Sequence, residues 1–137
     1  VERKKRNGTG FAQWHEYYKL QWDVGYLRRK LFEKLRDAPE ISLPFYDSER
    51  DETANKTVIV PDNCIVVVEG VFLQRPEWRE FFDFVVYLDC PRATRFERES
   101  ASIREQVDKF KTRYWKAEDH YLDTVRPLSN ADLVISS

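Results

Sequence analysis

The chain of 137 residues has no methionine, four glycines, two cysteines and two histidines. The nearest approach to a glycine-rich loop is NGTG at 7–10. It lacks the Gly-Lys-Ser/Thr that completes a phosphate-binding loop, and no strand precedes it, so it reads as a turn. Cys64 and Cys90 lie in or beside apolar runs, with no CxxC pair. That excludes a disulfide scaffold and makes both reduced core residues of a cytoplasmic protein. His15 and His120 have no partner at ligand spacing, which argues against zinc. No apolar run exceeds strand length, far short of a membrane span. ERKKR at 2–6 is followed by NGTG, not by the apolar stretch of a signal peptide. Charge of one sign is not in excess either: 23 basic residues face 24 acidic ones, for a net charge of −1. No global basic field invites nucleic acid or anionic lipid.

What is present is 42% hydrophobic and 34% charged, the balance of a soluble globular domain. Leu20, Val24, Leu27, Leu31 and Leu35 recur at spacings of three and four. This predicts a helical stretch over about 14–36, with Asp23 capping a second, longer helix. LPFYD (43–47) is extended because Pro44 pushes its neighbour out of the helical region. SERDETANK (48–56) is polar and turn-like, and TVIV (57–60) is a second strand, so a β-hairpin is expected over 43–60. CIVVV (64–68) and FVVYL (84–88) lack polar alternation, as strands covered on both faces do. PEWREFF (76–82) between them makes about two helical turns. A long charged helix over 103–123 turns Val107, Phe110, Tyr114 and Tyr121 inward, and ADLVI (131–135) is the last strand. Strand, helix, strand, helix, strand is the order of an α/β layer fold.

In such sheets ligands gather beyond the carboxyl ends of the strands. Glu69 and Gly70 follow the first apolar run directly. Glu69 either ends the strand in water or delivers a carboxylate to a cation such as Mg²⁺, which needs few carboxylates. Arg92, Arg95 and Arg98 recur every third residue. Their guanidinium forks suit phosphate oxygens, or else they form ion pairs on a wet helix, as Arg95 and Glu99 at i,i+4 are placed to do. Tyr46 and Asp47 either line a substrate cleft or start the following turn. ERKKR reads as a solvated basic run or as one lying near an anionic ligand. Asp119 and His120 are adjacent, so on a helix they point about 100° apart and do not form a pair.

Four of these pieces, in this order and with these gaps, resemble the uridine kinase-like branch of the P-loop kinases from about residue 18 to the C-terminus. PFYD (44–47) is similar to the family's Pro-x-Tyr-Asp, and VVVEG (66–70) to its strand ending in Glu-Gly. YLDCPRATRFER (87–98) is similar to its strand-Asp and lid Arg-x-x-Arg, and ADLVI to its closing strand. The resemblance implies a three-layer P-loop kinase-type parallel sheet flanked by helices, with the hairpin as an insertion and a lid over about 91–104. It implies transfer of the γ-phosphoryl of ATP, with Mg²⁺, to a hydroxyl of a small molecule. Glu69 would serve the metal, and Arg95 and Arg98 would act on the phosphates. Arg92, Asn130 and Ala131 would serve the nucleotide, and Tyr46 and Asp47 the acceptor.

The family's phosphate loop, its first two core strands and its acidic base are not in this sequence. The chain is therefore expected to be the C-terminal two thirds of one kinase domain, inactive by itself. The family places a strand between those that here are CIVVV and FVVYL, so without it both would present bare edges and apolar faces. KLQW (19–22) and SERDETANK lack the Asp and His that meet a nucleoside in the family, leaving a nucleoside and another hydroxylated metabolite both open. A homo-oligomer is compatible with the sequence. The alternative is a non-catalytic α/β binding or assembly module.

Overall fold

The computed structural model describes all residues, 1–137. Its elements in order are α1 (Arg3–Arg6), α2 (Gln13–His15) running into a π-helical turn (Glu16–Leu20), α3 (Val24–Lys30) with a 3-10 turn (Phe32–Lys34), β1 (Glu40–Asp47) and β2 (Glu52–Ile59). Then come α4 (Pro76–Arg79), β3 (Val86–Asp89), α5 (Arg92–Glu97), α6 (Ala101–Arg104) and α7 (Val107–Lys109). A second π-helical turn (Phe110–Tyr114), α8 (Trp115–Val125), α9 (Pro127–Asn130) and β4 (Leu133–Ser136) complete the chain. It is an α/β protein with one antiparallel and one parallel strand pair. No helix is long and apolar enough to cross a membrane.

The NGTG turn docks on the first helix. Gly8 and Gly10 have φ of 67° and 89°, the left-handed region that glycine enters at least cost. This aims the Thr9 N–H (2.8 Å) and hydroxyl (2.9 Å) at Glu16 Oε1. Those bonds, the backbone one foremost, hold the buried Glu16 carboxyl below its usual range. Asp23 caps α3 as its position suggests: its Oδ1 accepts from Tyr26 N at 2.9 Å. Asp23→Ala should therefore cost about 1 kcal/mol, read by chemical denaturation. The leucine stripe from Leu20 to Leu35 is half-buried along its length.

The hairpin pairs Glu40 with Ile59 and Asp47 with Glu52. It is longer than the sequence indicates, because residues 52–56 of SERDETANK belong to β2 rather than to the turn. Every β2 residue is exposed, so there is no half-buried alternation to mark the strand; the ladder to β1 holds it. The turn at 48–51 forms where Asp47 Oδ1 accepts from Glu49 N (2.8 Å) and Arg50 N (3.2 Å).

Two aromatic clusters make the core. Tyr18, Phe72, Ala117, Tyr121 and Val125 form one, with Trp14, Tyr17 and Trp22 against it. Phe32 packs on Trp78, Phe81 and Phe82 in the other, with centroids 5.1–6.1 Å apart. Arg75 lies beneath the first cluster, 1% exposed. Its Nε donates to Phe72 O and its Nη2 to Tyr18 O, both at 3.2 Å, and the guanidinium faces the rings of Trp78 (4.6 Å) and Tyr18 (4.8 Å). A delocalised cation tolerates this setting because its N–H groups find carbonyls and its faces find π-electrons.

β3 and β4 pair in parallel, Val86 with Leu133 through Asp89 with Ser136. CIVVV departs from expectation. Residues 65–71 make no backbone hydrogen bond and form no strand, and Ile65 and Val67 are 92% and 84% exposed. β3 has a single neighbour, and its Leu88 is 72% exposed, so FVVYL is not covered on both faces. An apolar run becomes a strand only when another strand accepts its N–H and C=O groups, and none lies beside 65–71. Cys64 is likewise exposed rather than in the core; Cys90 is half-buried, and both thiols are free. The helix expected over 103–123 is interrupted into α6, α7, a π-helical turn and α8. α8 stops at Arg126, whose φ is 52°, just before Pro127.

Candidate functional site

The cleft that gathers the lid residues has a volume of about 380 Å³. Arg92, Arg95 and Arg98 of the α5 segment line it, opposite Val71 and Phe72, with Tyr114 and Trp115 from the C-terminal helix. α5 is fastened to α8. Arg92 Nε donates to Glu118 Oε2 at 2.9 Å, its Nη2 reaches Asp119 Oδ1 at 2.5 Å, and Arg95 Nη2 pairs with Glu118 Oε1. Arg95 Nε also donates to Cys90 O at 3.0 Å. Phe96 packs against Phe110 (5.0 Å) and Trp115 (5.5 Å) behind them. Arg95 thus pairs across the fold rather than with Glu99 on its own helix. Arg98 is exposed; its backbone N–H donates to Thr94 O at 3.3 Å, but its guanidinium makes no hydrogen bond or ion pair with the protein. It is the cation in this cleft without a carboxylate.

Glu69 is exposed, makes no hydrogen bond, and lies two residues before the cleft-lining Val71 without being part of the wall. A Cβ added at Gly70 would meet only the Leu73 side chain, 3.6 Å away, so nothing within the chain requires glycine there. No group of three or more His, Cys, Asp or Glu converges to hold a metal. A single carboxylate is a fit for Mg²⁺ where water and nucleotide phosphates supply the remaining oxygens.

Asn130 and Ala131 lie at the entry to β4, away from this cleft. Asn130 Nδ2 donates to Val125 O at 2.6 Å, and Arg79 Nη2 donates to Asn130 O at 3.3 Å. Tyr46 and Asp47 lie at the hairpin end. The Tyr46 hydroxyl donates to Asp51 Oδ1 at 2.7 Å, and the Arg6 guanidinium stands 5.1 Å from the Tyr46 ring. The Asp47 carboxylate is occupied by the turn. Asp119 faces Arg92, while His120 lies between Trp14 (4.9 Å) and Tyr18 (4.8 Å), where burial lowers its pKa.

A second cleft, about 800 Å³, adjoins the first: Tyr17 and Tyr114 belong to the walls of both. Arg3 and Arg6 enter it from α1, and Lys109 and Arg113 from the C-terminal helix. Sequence reasoning missed Glu118, which holds two lid arginines from 23 and 26 residues away. The only available signal was an acidic residue on the helix that follows the lid. Tyr121, expected to turn inward, does so: its hydroxyl accepts from Gln74 N at 3.1 Å, and burial pushes its pKa up to about 12.

No family model matches the chain. A uridine kinase of Borreliella burgdorferi (strain ZS7) is 29% identical over 118 residues, covering 82% of this chain and 56% of that protein. A uridine kinase of Clostridium botulinum (strain Okra / Type B1) is 32% identical over 95 residues, 69% of this chain and 45% of that protein. The chain spans about half the length of the curated relatives it matches. The solved structure of a possible uridine kinase from Bacillus stearothermophilus superimposes with a TM-score of 0.86 and 50% identity, over 98% of this chain and 66% of that one. PFYD, VVVEG, the lid arginines and ADLVI thus sit within a fold held in common with these proteins, and the chain belongs to the uridine kinase-like branch of the P-loop kinases.

Proposed function

We propose that this chain is the C-terminal part of an ATP-dependent small-molecule kinase that acts in the cytoplasm, where its free thiols Cys64 and Cys90 stay reduced. In this reading the γ-phosphoryl of ATP passes to a hydroxyl of a nucleoside or similar metabolite. The observation that carries it is the convergence of Arg92, Arg95 and Arg98 on one cleft beside the segment that follows Glu69 and Gly70. Arg98 and Arg95 act on the transferring phosphates, and Arg92 orients the lid through Glu118. Asn130 and Ala131 serve the nucleotide base, and Tyr46 with Asp47 shapes the acceptor end. Mg²⁺, when bound, supplies charge neutralisation between the phosphates, and Glu69 is the side chain that would hold it.

The bare edge of β3, the unpaired segment 65–71 and the exposed Ile65, Val67 and Leu88 support a further part of this reading. A preceding segment lays a strand between them, and the 137-residue piece by itself does not turn over. In the complete protein, Glu69→Gln should raise the Mg²⁺ concentration needed for half-maximal rate several-fold, with the melting temperature unchanged. A collapse in melting temperature would make Glu69 structural and remove it from the site. The second reading, a non-catalytic binding module, is favoured by one observation: Glu118 and Asp119 already neutralise two of the three lid cations. It predicts no thermal shift with ATP.

A further inference from the structure

We infer that the second cleft takes the phosphoryl acceptor, and that this acceptor carries an oxyanion: a phosphorylated or carboxylated small alcohol rather than a neutral nucleoside. The catalytic half of the statement rests on the kinase reading above; the binding half stands on the cleft itself.

Position comes first. Tyr17 and Tyr114 meet edge to face at 4.8 Å and line both clefts, so a molecule in the second reaches the arginines of the first. At about 800 Å³ the cleft has the volume of a metabolite site.

Charge comes second. Arg3, Arg6, Lys109 and Arg113 line the cleft against one carboxylate, Asp108. Glu16, buried 3.6 Å behind Arg113, neutralises that guanidinium. With Asp108 set against one more cation, and Asp51 within electrostatic reach of Arg3 and Arg6, a surplus of one positive charge remains, on a chain whose net charge is −1.

Three of these cations are held by neutral groups. Arg3 Nη2 donates to Ser48 O and Arg6 Nη1 to Gln21 Oε1, both at 2.6 Å, while Lys109 stands over the Tyr114 ring at 5.6 Å. These contacts position the cations; Asp51, whose Oδ1 accepts from Arg3 N (2.9 Å) and the Tyr46 hydroxyl (2.7 Å), answers part of the Arg3 and Arg6 charge, and Lys109 has no carboxylate partner. Arg6 Nε is buried with no acceptor at all. Folding brings α1 and the C-terminal helix, about a hundred residues apart in sequence, together to concentrate like charge, an arrangement that an anion would stabilise. Thr112 and Gln13, hydrogen-bonded at 3.0 Å, add neutral polar groups suited to an alcohol.

The test is calorimetry on the complete protein that carries this chain, with matched probes: ribose 5-phosphate against ribose, and glycerate against glycerol. The charged member of each pair should bind about tenfold or more tightly. The two charged probes separate phosphate from carboxylate recognition, and inorganic phosphate alone reports how much of the affinity lies in the anion. Lys109→Gln and Arg6→Gln should each weaken the charged probe about tenfold, leaving ribose, ATP affinity and melting temperature unchanged. Equal affinity within both pairs, or charged-probe binding indifferent to both substitutions, overturns the inference. So does displacement of ribose 5-phosphate by a lower concentration of single-stranded RNA. If ribose 5-phosphate binds as described but nothing is transferred from ATP, the kinase reading fails and the cleft assignment stands. If ribose is phosphorylated as readily as its phosphate ester, the kinase reading stands and the inference fails.

Discussion

Arg98→Ala, made in the complete protein that carries this chain, is expected to slow ATP-dependent phosphoryl transfer by about tenfold to a thousandfold while hardly moving the melting temperature. The expectation comes from the different situations of three neighbouring arginines. Arg92 and Arg95 are tied to Glu118 and Asp119, so a large share of their charge is already answered within the protein. Arg98 faces the same cleft with no protein partner, so its removal breaks no fold contact. A guanidinium so placed can strengthen its hydrogen bonds as negative charge shifts among phosphate oxygens, which is where transition-state stabilisation originates. Arg98→Lys should recover part of the rate, since a point charge remains but the planar fork is lost. Arg92→Ala should behave differently, lowering the melting temperature as well, because it leaves the largely buried Glu118 with one partner fewer. Single-turnover rates and thermal melts on the three variants decide the matter; an unchanged rate for Arg98→Ala would reduce it to a surface cation.

Phe72→Ala should destabilise the fold by about 3–5 kcal/mol, a large share of the roughly 5–15 kcal/mol that holds a typical domain together. Phe72 is 7% exposed and meets four other rings: Tyr18 at 5.0 Å, Tyr121 at 5.2 Å, Tyr17 at 5.6 Å and Trp22 at 6.2 Å. It holds this place with a φ of 60°, in the left-handed region that costs a non-glycine residue about 1–2 kcal/mol. Packing outweighs that strain. The backbone twist turns the chain out of the extended segment 65–71 and sends the ring into the core, where Arg75 bonds the Phe72 carbonyl from below. Phe72→Gly relieves the strain but opens the same cavity, so it should fall within about 1–2 kcal/mol of alanine. A glycine variant as stable as the parent in urea denaturation would show that strain, not packing, governs this position.

How much of this was legible in the sequence depended on whether the information was local. Asp23 was readable as a cap because its partner, the Tyr26 N–H, is three residues away. ADLVI was readable as a strand because a short β-branched run after a helix has few other uses, and it pairs with β3 in parallel. The lid arginines could be placed on one short helix by their spacing alone. CIVVV was read as a strand from the same kind of run, yet composition states which residues favour burial and not which strand is there to bury them. ETANK was read as turn because a strand exposed on both faces has no periodicity to betray it. Glu118 was invisible for a related reason: an ion pair 26 residues apart is a property of the fold, and charged helices carry many carboxylates. The second cleft was out of reach altogether, since ERKKR and the Lys109–Arg113 stretch become one surface only when α1 packs beside the C-terminal helix.

The two π-helical turns, Glu16–Leu20 and Phe110–Tyr114, have a consequence of their own. Each makes room for one residue more than an ordinary helical turn, and the surplus brings Tyr17 and Tyr114 face to edge at the junction of the two clefts. Deleting a single residue from either turn would let the helix relax to regular winding, with the flanking turns kept in phase but the bulge that presents Tyr17 or Tyr114 lost. Both hollows would lose their common wall at once, so these two five-residue stretches should tolerate substitution far better than any change in length.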